Sequence, residues 1–192
     1  ALSGYFVAYC GVQPMVVTLG GSFLFTGIAL LVSNLSATES YKGINGFPDS
    51  FLQLSRFKLF GIIPCQVLIF LALAVTAYIL LNRTKYGRMI FLIGVNKEAA
   101  EFSGINTRLV TMSTYILSGV SAAIAGIILT SYIGTAKSDI GVTFTLPIIT
   151  AVVLGGTLST GGKGSVVGTA LAAVVIGVLK FGLPLCFKVP QQ

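Results

Sequence analysis

The chain has 192 residues, of which 55% are hydrophobic and 9% charged, against a charged share of about 25% in soluble domains. So few polar residues cannot cover a water-soluble globule of this size, and several apolar runs are long enough to cross a hydrocarbon core of about 30 Å, so an integral membrane protein is expected. The net charge of +7, from 12 basic and 5 acidic residues, forms no basic stripe with interleaved aromatics, which makes membrane lipid the expected surroundings and excludes nucleic acid.

Catalytic chemistry is not expected either. The chain has no histidine and only 5 scattered carboxylates, which provides neither a zinc cluster nor a Ser/His or Cys/His pair. No bound cofactor is expected. Cys10, Cys65 and Cys186 are widely spaced in apolar surroundings and read as buried thiols rather than a disulfide framework.

In chain order, ALSGYFVAYC is an apolar run without an initiating Met or a basic leader. It reads as the tail of a transmembrane helix whose beginning is missing. Pro14 to Ser33 carries no charge and suffices for a crossing, with Pro14 suited to a first helical turn. Within it, Thr18, Gly20, Gly21, Ser22, Thr26 and Gly27 either let a second helix approach or expose backbone to a pathway, close packing being favoured over substrate contact. Asn34 to Phe60 mixes charges with glycine and proline and reads as a loop on the side opposite Arg83; Ser50 to Lys58 suggests either an amphipathic helix at the interface or an ordinary solvated loop. A second span is expected over 61–82, with Pro64 near its outer end.

The connection 83–108 holds Arg83, Lys85, Arg88, Lys97 and Arg108, which places it on the cytoplasmic side. Within it, Asn96 reads as an N-cap, Glu98 sits in the first turn against the positive end of the helix dipole, and Gly104 reads as a stop. A helix from Lys97 to Ser103 is therefore predicted. It is too short to stand alone in water and needs a surface to rest on. Ala99, Ala100 and Phe102 suit a groove on a partner, and Glu98 and Glu101 suit basic residues there.

Leu109 to Tyr132 is about 36 Å if helical, a tilted crossing back outward, and its small-residue face of Gly119, Ala122, Ala123 and Gly126 predicts close packing on a neighbouring helix. Gly134 to Thr145 reads as an outer loop with Lys137 and Asp139. The apolar run from Leu146 stops at Gly155 and Gly156, about half a crossing, with Thr145 as cap and Pro147 in the first turn. Residues 146–156 are therefore predicted to form a broken or re-entrant helix, tolerated at membrane depth only where its freed backbone is buried in protein or lines a wet cavity. GGTLSTGGKGSVVGT, from Gly155 to Thr169, falls short of a phosphate-binding loop because Thr157 and Gly164 stand where Gly and Ser or Thr are required. It reads as a flexible connection lying toward the cytoplasm. A last span is expected over 165–183, with Gly164 and Gly168 in G-x-x-x-G spacing, Lys180 snorkelling outward from its final turn, and Pro184, Cys186, Lys188 and Pro190 beyond the helix; a further crossing is expected after it. The expected fold is all-α, a polytopic transmembrane helix bundle.

Three sets of residues carry a resemblance. The pattern G-x-N-x-x-A-A-x-x-S-G-I, at Gly94, Asn96, Ala99, Ala100, Ser103, Gly104 and Ile105, resembles the coupling segment of sugar-type ABC import permeases, relatives of the ribose and autoinducer-2 permeases. P-x-x-x-T-L-G at Pro14, Thr18, Leu19 and Gly20 is similar to the same family, as is AVVLGGT...GGKG-x-x-x-GT from Ala151 to Thr169. SDIGVTFTLPIITAVVLGG looks closest to the autoinducer-2 branch.

The resemblance runs over nearly the whole chain. It implies a type II ABC importer-like permease in the bacterial plasma (inner) membrane, lacking crossings at both ends relative to full-length members. The implied partners are two ABC ATPase subunits, which would carry ATP hydrolysis, a second permease subunit and an extracytoplasmic substrate-binding protein. Coupling to the ATPase would fall on Asn96, Glu98, Ala99, Ala100, Glu101, Phe102, Ser103 and Gly104, and the substrate pathway on Thr18, Gly20, Gly155, Gly156 and Thr157. An ion-coupled secondary transporter is disfavoured because the predicted spans hold no Asp or Glu, and a non-transporting scaffold leaves the half-length helix without a purpose. Spans without carboxylates further predict a neutral, hydroxyl-rich substrate.

Overall fold

The computed structural model describes residues 2–35, 44, 46–56, 58–59, 63–137, 140–158 and 160–187. Nine helices are found among them: α1 (Leu2–Tyr9), α2 (Pro14–Leu35), α3 (Asp49–Arg56), α4 (Cys65–Arg83), α5 (Lys85–Val95), α6 (Lys97–Phe102), α7 (Thr107–Ile133), α8 (Val142–Leu154) and α9 (Val166–Phe187). The chain is a helical membrane protein. α2, α4 and α7 are long and apolar enough to cross a membrane, α8 is a shorter apolar helix, and residues Val166–Lys180 of α9 are apolar. Their large apolar side chains, such as Phe23, Leu31, Leu171 and Val178, are largely exposed, as suits faces that meet lipid or other helices rather than water.

The helices fall into two compact units, Ala1–Leu73 with Gly104–Val142, and Ala74–Ser103 with Thr143–Gln192. In the first, α1 lies along α7. Gly4 and Ala8, one turn apart on α1, are buried, and a Cβ on Gly4 would stand 2.8 Å from the Cβ of Tyr115. That seam exists because residue 4 has no side chain. The C-terminal end of α7 receives α3, where Ser131 Oγ donates to the Phe51 carbonyl at 2.7 Å. Gly134 ends α7 in the left-handed region, its N–H meeting the Thr130 carbonyl at 2.8 Å, and Ile44 bridges Ala136 just beyond.

Several boundaries differ from the sequence reading for local reasons. A hairpin of two two-residue strands, β1 (Lys58–Leu59) and β2 (Ile63–Pro64), places β2 at the start of the expected second span, and α4 begins at Cys65. Asn106 caps α7 through Leu109 N at 3.2 Å, which starts that helix two residues before Leu109. α8 starts at Val142, four residues before Leu146, so Thr145 is not its cap and Pro147 lies inside it. The ring removes the N–H that would have reached back four residues and crowds the carbonyl there. α9 continues through Pro184 to Phe187, so Pro184 and Cys186 do not leave the helix and Lys180 is not in its final turn. Lys180 Nζ instead stands 4.6 Å over the Phe144 ring, a cation–π contact. Cys10 is an exposed free thiol and Cys65 a half-buried one, contrary to the expectation of burial. Glu39, Lys42, Phe57, Asp139, Lys188 and Pro190 lie outside the described residues.

Candidate functional site

The polar connection between α4 and α7 contains two helices where the sequence reading placed one. α4 stops at Arg83, and Thr84 turns the chain: its Oγ1 donates to the Leu80 carbonyl at 2.5 Å and accepts from Gly87 N at 3.3 Å, capping α5. A Cβ on Gly87 would overlap the Leu81 carbonyl, so only glycine permits the turn to be this tight. α5 escaped the sequence reading although its signals are present: Thr84 as cap, then eleven residues of mixed apolar pattern ending in Gly94 and Val95.

Asn96 closes one helix and opens the next. Its N–H meets the Leu92 carbonyl at 3.1 Å, ending α5, and its Oδ1 accepts from Ala99 N at 3.1 Å, starting α6. No loop separates the two helices. α6 then ends where Ser103 donates through both N and Oγ to the Ala99 carbonyl, at 3.1 and 2.9 Å, and Gly104 takes φ +78°. The helix therefore has six residues, one fewer than Lys97 to Ser103. Glu98 lies in its first turn, against the positive end of the dipole.

The two alanines of α6 play different parts. Ala100 is buried, whereas Ala99, Glu98 and Glu101 are exposed. Phe102 stands 93% exposed, more than any other large apolar side chain among the described residues. The ring sits on a short connection that also carries the exposed Lys97 and Arg108. Burying such a ring against a partner is worth about 1.5–3 kcal/mol.

The second cluster surrounds the end of α8. Thr157 N meets the Val152 carbonyl at 3.2 Å and Gly156 N the Val153 carbonyl at 3.0 Å, with Gly156 at φ +86°. This is a Schellman cap. It satisfies carbonyls that a helix ending at membrane depth would otherwise leave bare. Ser165 caps α9 by accepting from Gly168 N at 3.1 Å, and the two helices meet where a Cβ on Gly155 would overlap Thr169, and one on Gly168 would overlap the Gly155 carbonyl. Thr157 and Thr169 hydroxyls stand 3.4 Å apart at this crossing. Leu158 N bonds the Lys163 carbonyl and Gly161 N the Leu158 carbonyl, both at 3.1 Å, so the connection expected to be flexible is cross-braced. It also touches α5: a Cβ on Gly94 would lie 2.5 Å from Gly162 N.

Gly155, Gly156 and Thr157 are thus brought together at one crossing. Thr18 and Gly20 belong to the other unit. Thr18 Oγ1 folds back onto its own helix, donating to the Pro14 and Met15 carbonyls at 3.0 and 3.1 Å, and nothing stands within 4 Å of a Cβ on Gly20.

The profile of a family described as branched-chain amino acid transport system / permease component matches residues 1–188. The chain belongs to this permease family. It is 43% identical over 186 residues to the autoinducer 2 import system permease protein LsrD of Photorhabdus luminescens, an alignment covering 97% of this chain and 55% of that protein. Identity to the LsrD protein of Yersinia pseudotuberculosis serotype O:1b is 44% over 179 residues, covering 93% of this chain and 54% of that protein. For LsrD of Salmonella paratyphi B it is 42% over 186 residues, covering 97% and 55%. The chain spans about half the length of the curated relatives it matches. No solved structure matches it. The sequence resemblance to sugar-type import permeases and the family match agree on a transporter subunit.

Proposed function

We propose that the chain forms part of the membrane-spanning permease subunit of an ABC importer in the bacterial inner membrane, moving a neutral sugar-like molecule of the autoinducer-2 class. ATP hydrolysis takes place on partner ATPase subunits. The observation that carries the reading is α6: a capped six-residue helix, set between spans, that holds Phe102 at 93% exposure. Such a helix gains stability only against another surface, and docking onto the ATPase gives it one. Asn96, Glu98, Ala99, Glu101, Ser103 and Gly104 shape or flank that face, and the buried Ala100 anchors it. A second permease subunit and an extracytoplasmic binding protein complete the assembly, and Gly155, Gly156 and Thr157 border the pathway.

The family's description and the relatives' names favour different cargoes, an amino acid and autoinducer 2. Charge separates them. α2 and α8 contain no charged residue and α4 and α7 carry theirs only in an end turn, so these helices hold no pair of charges to compensate an amino acid's carboxylate and ammonium at membrane depth. Uptake of autoinducer-2 activity from the medium by cells dependent on this permease is the test. Depletion that an excess of ribose slows and an excess of leucine does not is the expected result. Leucine uptake in its place overturns the assignment of a neutral cargo.

A further inference from the structure

The glycine connection that joins α8 to α9 touches the helix that carries α6. Gly94, in the last turn of α5, comes so close to Gly162 that a Cβ would stand 2.5 Å from its backbone nitrogen, and a Cβ on Gly161 would fall 2.8 Å from the Gly94 carbonyl oxygen. Val95 completes the contact, its Cγ2 lying 2.8 Å from where a Cβ on Gly162 would sit. Gly161 and Gly162 take φ of +91° and +79°, which brings their backbone to α5 without side chains between.

We propose that Gly94, Gly161 and Gly162 form the joint through which movement of α6 reaches the broken-helix hairpin, so that these glycines position the gate rather than contact the cargo. Every link lies within one compact unit. α6 and α5 share Asn96 as cap, so displacement of one is passed to the other with no slack loop between them. α5 meets the connection backbone to backbone, and close-packed atoms transmit a push instead of absorbing it. The connection is braced by the bonds of Leu158 to Lys163 and of Gly161 to Leu158. It is continuous with the Schellman cap of α8 and with the crossing of Gly155 and Gly168. Residues set in a discrete packed contact between a driven element and a responding one are those at which substitution alters coupling without altering binding.

This inference rests on the docking of α6 to the ATPase, and the experiment separates the two. Gly94 is helical, where alanine is intrinsically preferred over glycine, so a loss in Gly94→Ala or Gly94→Val reports the joint and not the helix. In proteoliposomes of the complete transporter, Gly94→Val is expected to lower cargo taken up per ATP hydrolysed by about fivefold or more, with Gly94→Ala between it and wild type. The ATPase co-purifies undiminished with both. Val95→Ala, which only loosens the contact, lowers the same ratio by about twofold, and decides the matter if Gly94→Val does not accumulate. Wild-type uptake per ATP in Gly94→Val, or in Val95→Ala where that variant has to decide, overturns the joint. Retention of the ATPase by a Phe102→Asp variant overturns the docking on which it rests.

Discussion

Replacing Phe102 with aspartate is expected to strip the ATPase subunit from the permease. The ring is 93% exposed at the end of a capped helix, so the substitution leaves the isolated chain's packing unchanged and removes only what a partner would bury. Aromatic anchors of this kind contribute about 2 kcal/mol or more to an interface, which is about a 30-fold loss of affinity. Aspartate adds the cost of desolvating a charge in the same groove. Co-purification of the ATPase with the detergent-solubilised permease, compared at equal permease yield, is the measurement. Phe102→Leu, which keeps an apolar side chain, is expected to retain most of it.

The second large effect concerns stability. Gly168→Val is expected to break the crossing of α8 and α9, because its Cβ would overlap the Gly155 carbonyl and a backbone group cannot rotate away as a side-chain end can. Overpacking a core costs about 1–3 kcal/mol, and a clash with main chain on both sides of a hairpin lies at or above the top of that range. Thermal unfolding in detergent reads it. Gly177→Val is the comparison: it lies on the same helix with nothing within 4 Å of the added atom, and its midpoint is expected to stay close to wild type. Equal midpoints for the two variants would contradict the crossing as described.

What the sequence made legible was local chemistry. Asn96, Glu98 and Gly104 announce α6 because caps and stops act over three or four residues, and the structure places Asn96 Oδ1 on Ala99 N and Gly104 at positive φ. Gly155 and Gly156 announce the end of α8 in the same way. α5 was missed although Thr84 announces it: it follows α4 with a single intervening residue, and Arg83, Lys85 and Arg88 looked like a basic loop when they are exposed positions at the end of α4 and on α5. The start of α8 was misjudged because Pro147 is a common first-turn residue, yet a proline inside a membrane helix costs little where neighbours cover its gap. The contact of Gly94 with Gly161 and Gly162 joins residues more than sixty positions apart. Glycine content marks such places as permissive, but only the fold says which backbone arrives there. The small-residue face of α7 has, among the described residues, nothing within 4 Å of a Cβ on Gly119 or Gly126.

The claim on which the account turns is that α6 rests on an ATPase, and a cysteine on its exposed face that leaves the Phe102 ring in place tests it most directly. With Cys10, Cys65 and Cys186 replaced by serine, Ala99→Cys in native membranes is treated with a short thiol-to-amine cross-linker and the products are identified by mass spectrometry. The expected product joins residue 99 to the ATPase subunit and disappears when that subunit is deleted. Efficient modification of the same cysteine by a soluble maleimide in the assembled transporter, with no cross-link to the ATPase, would contradict the account.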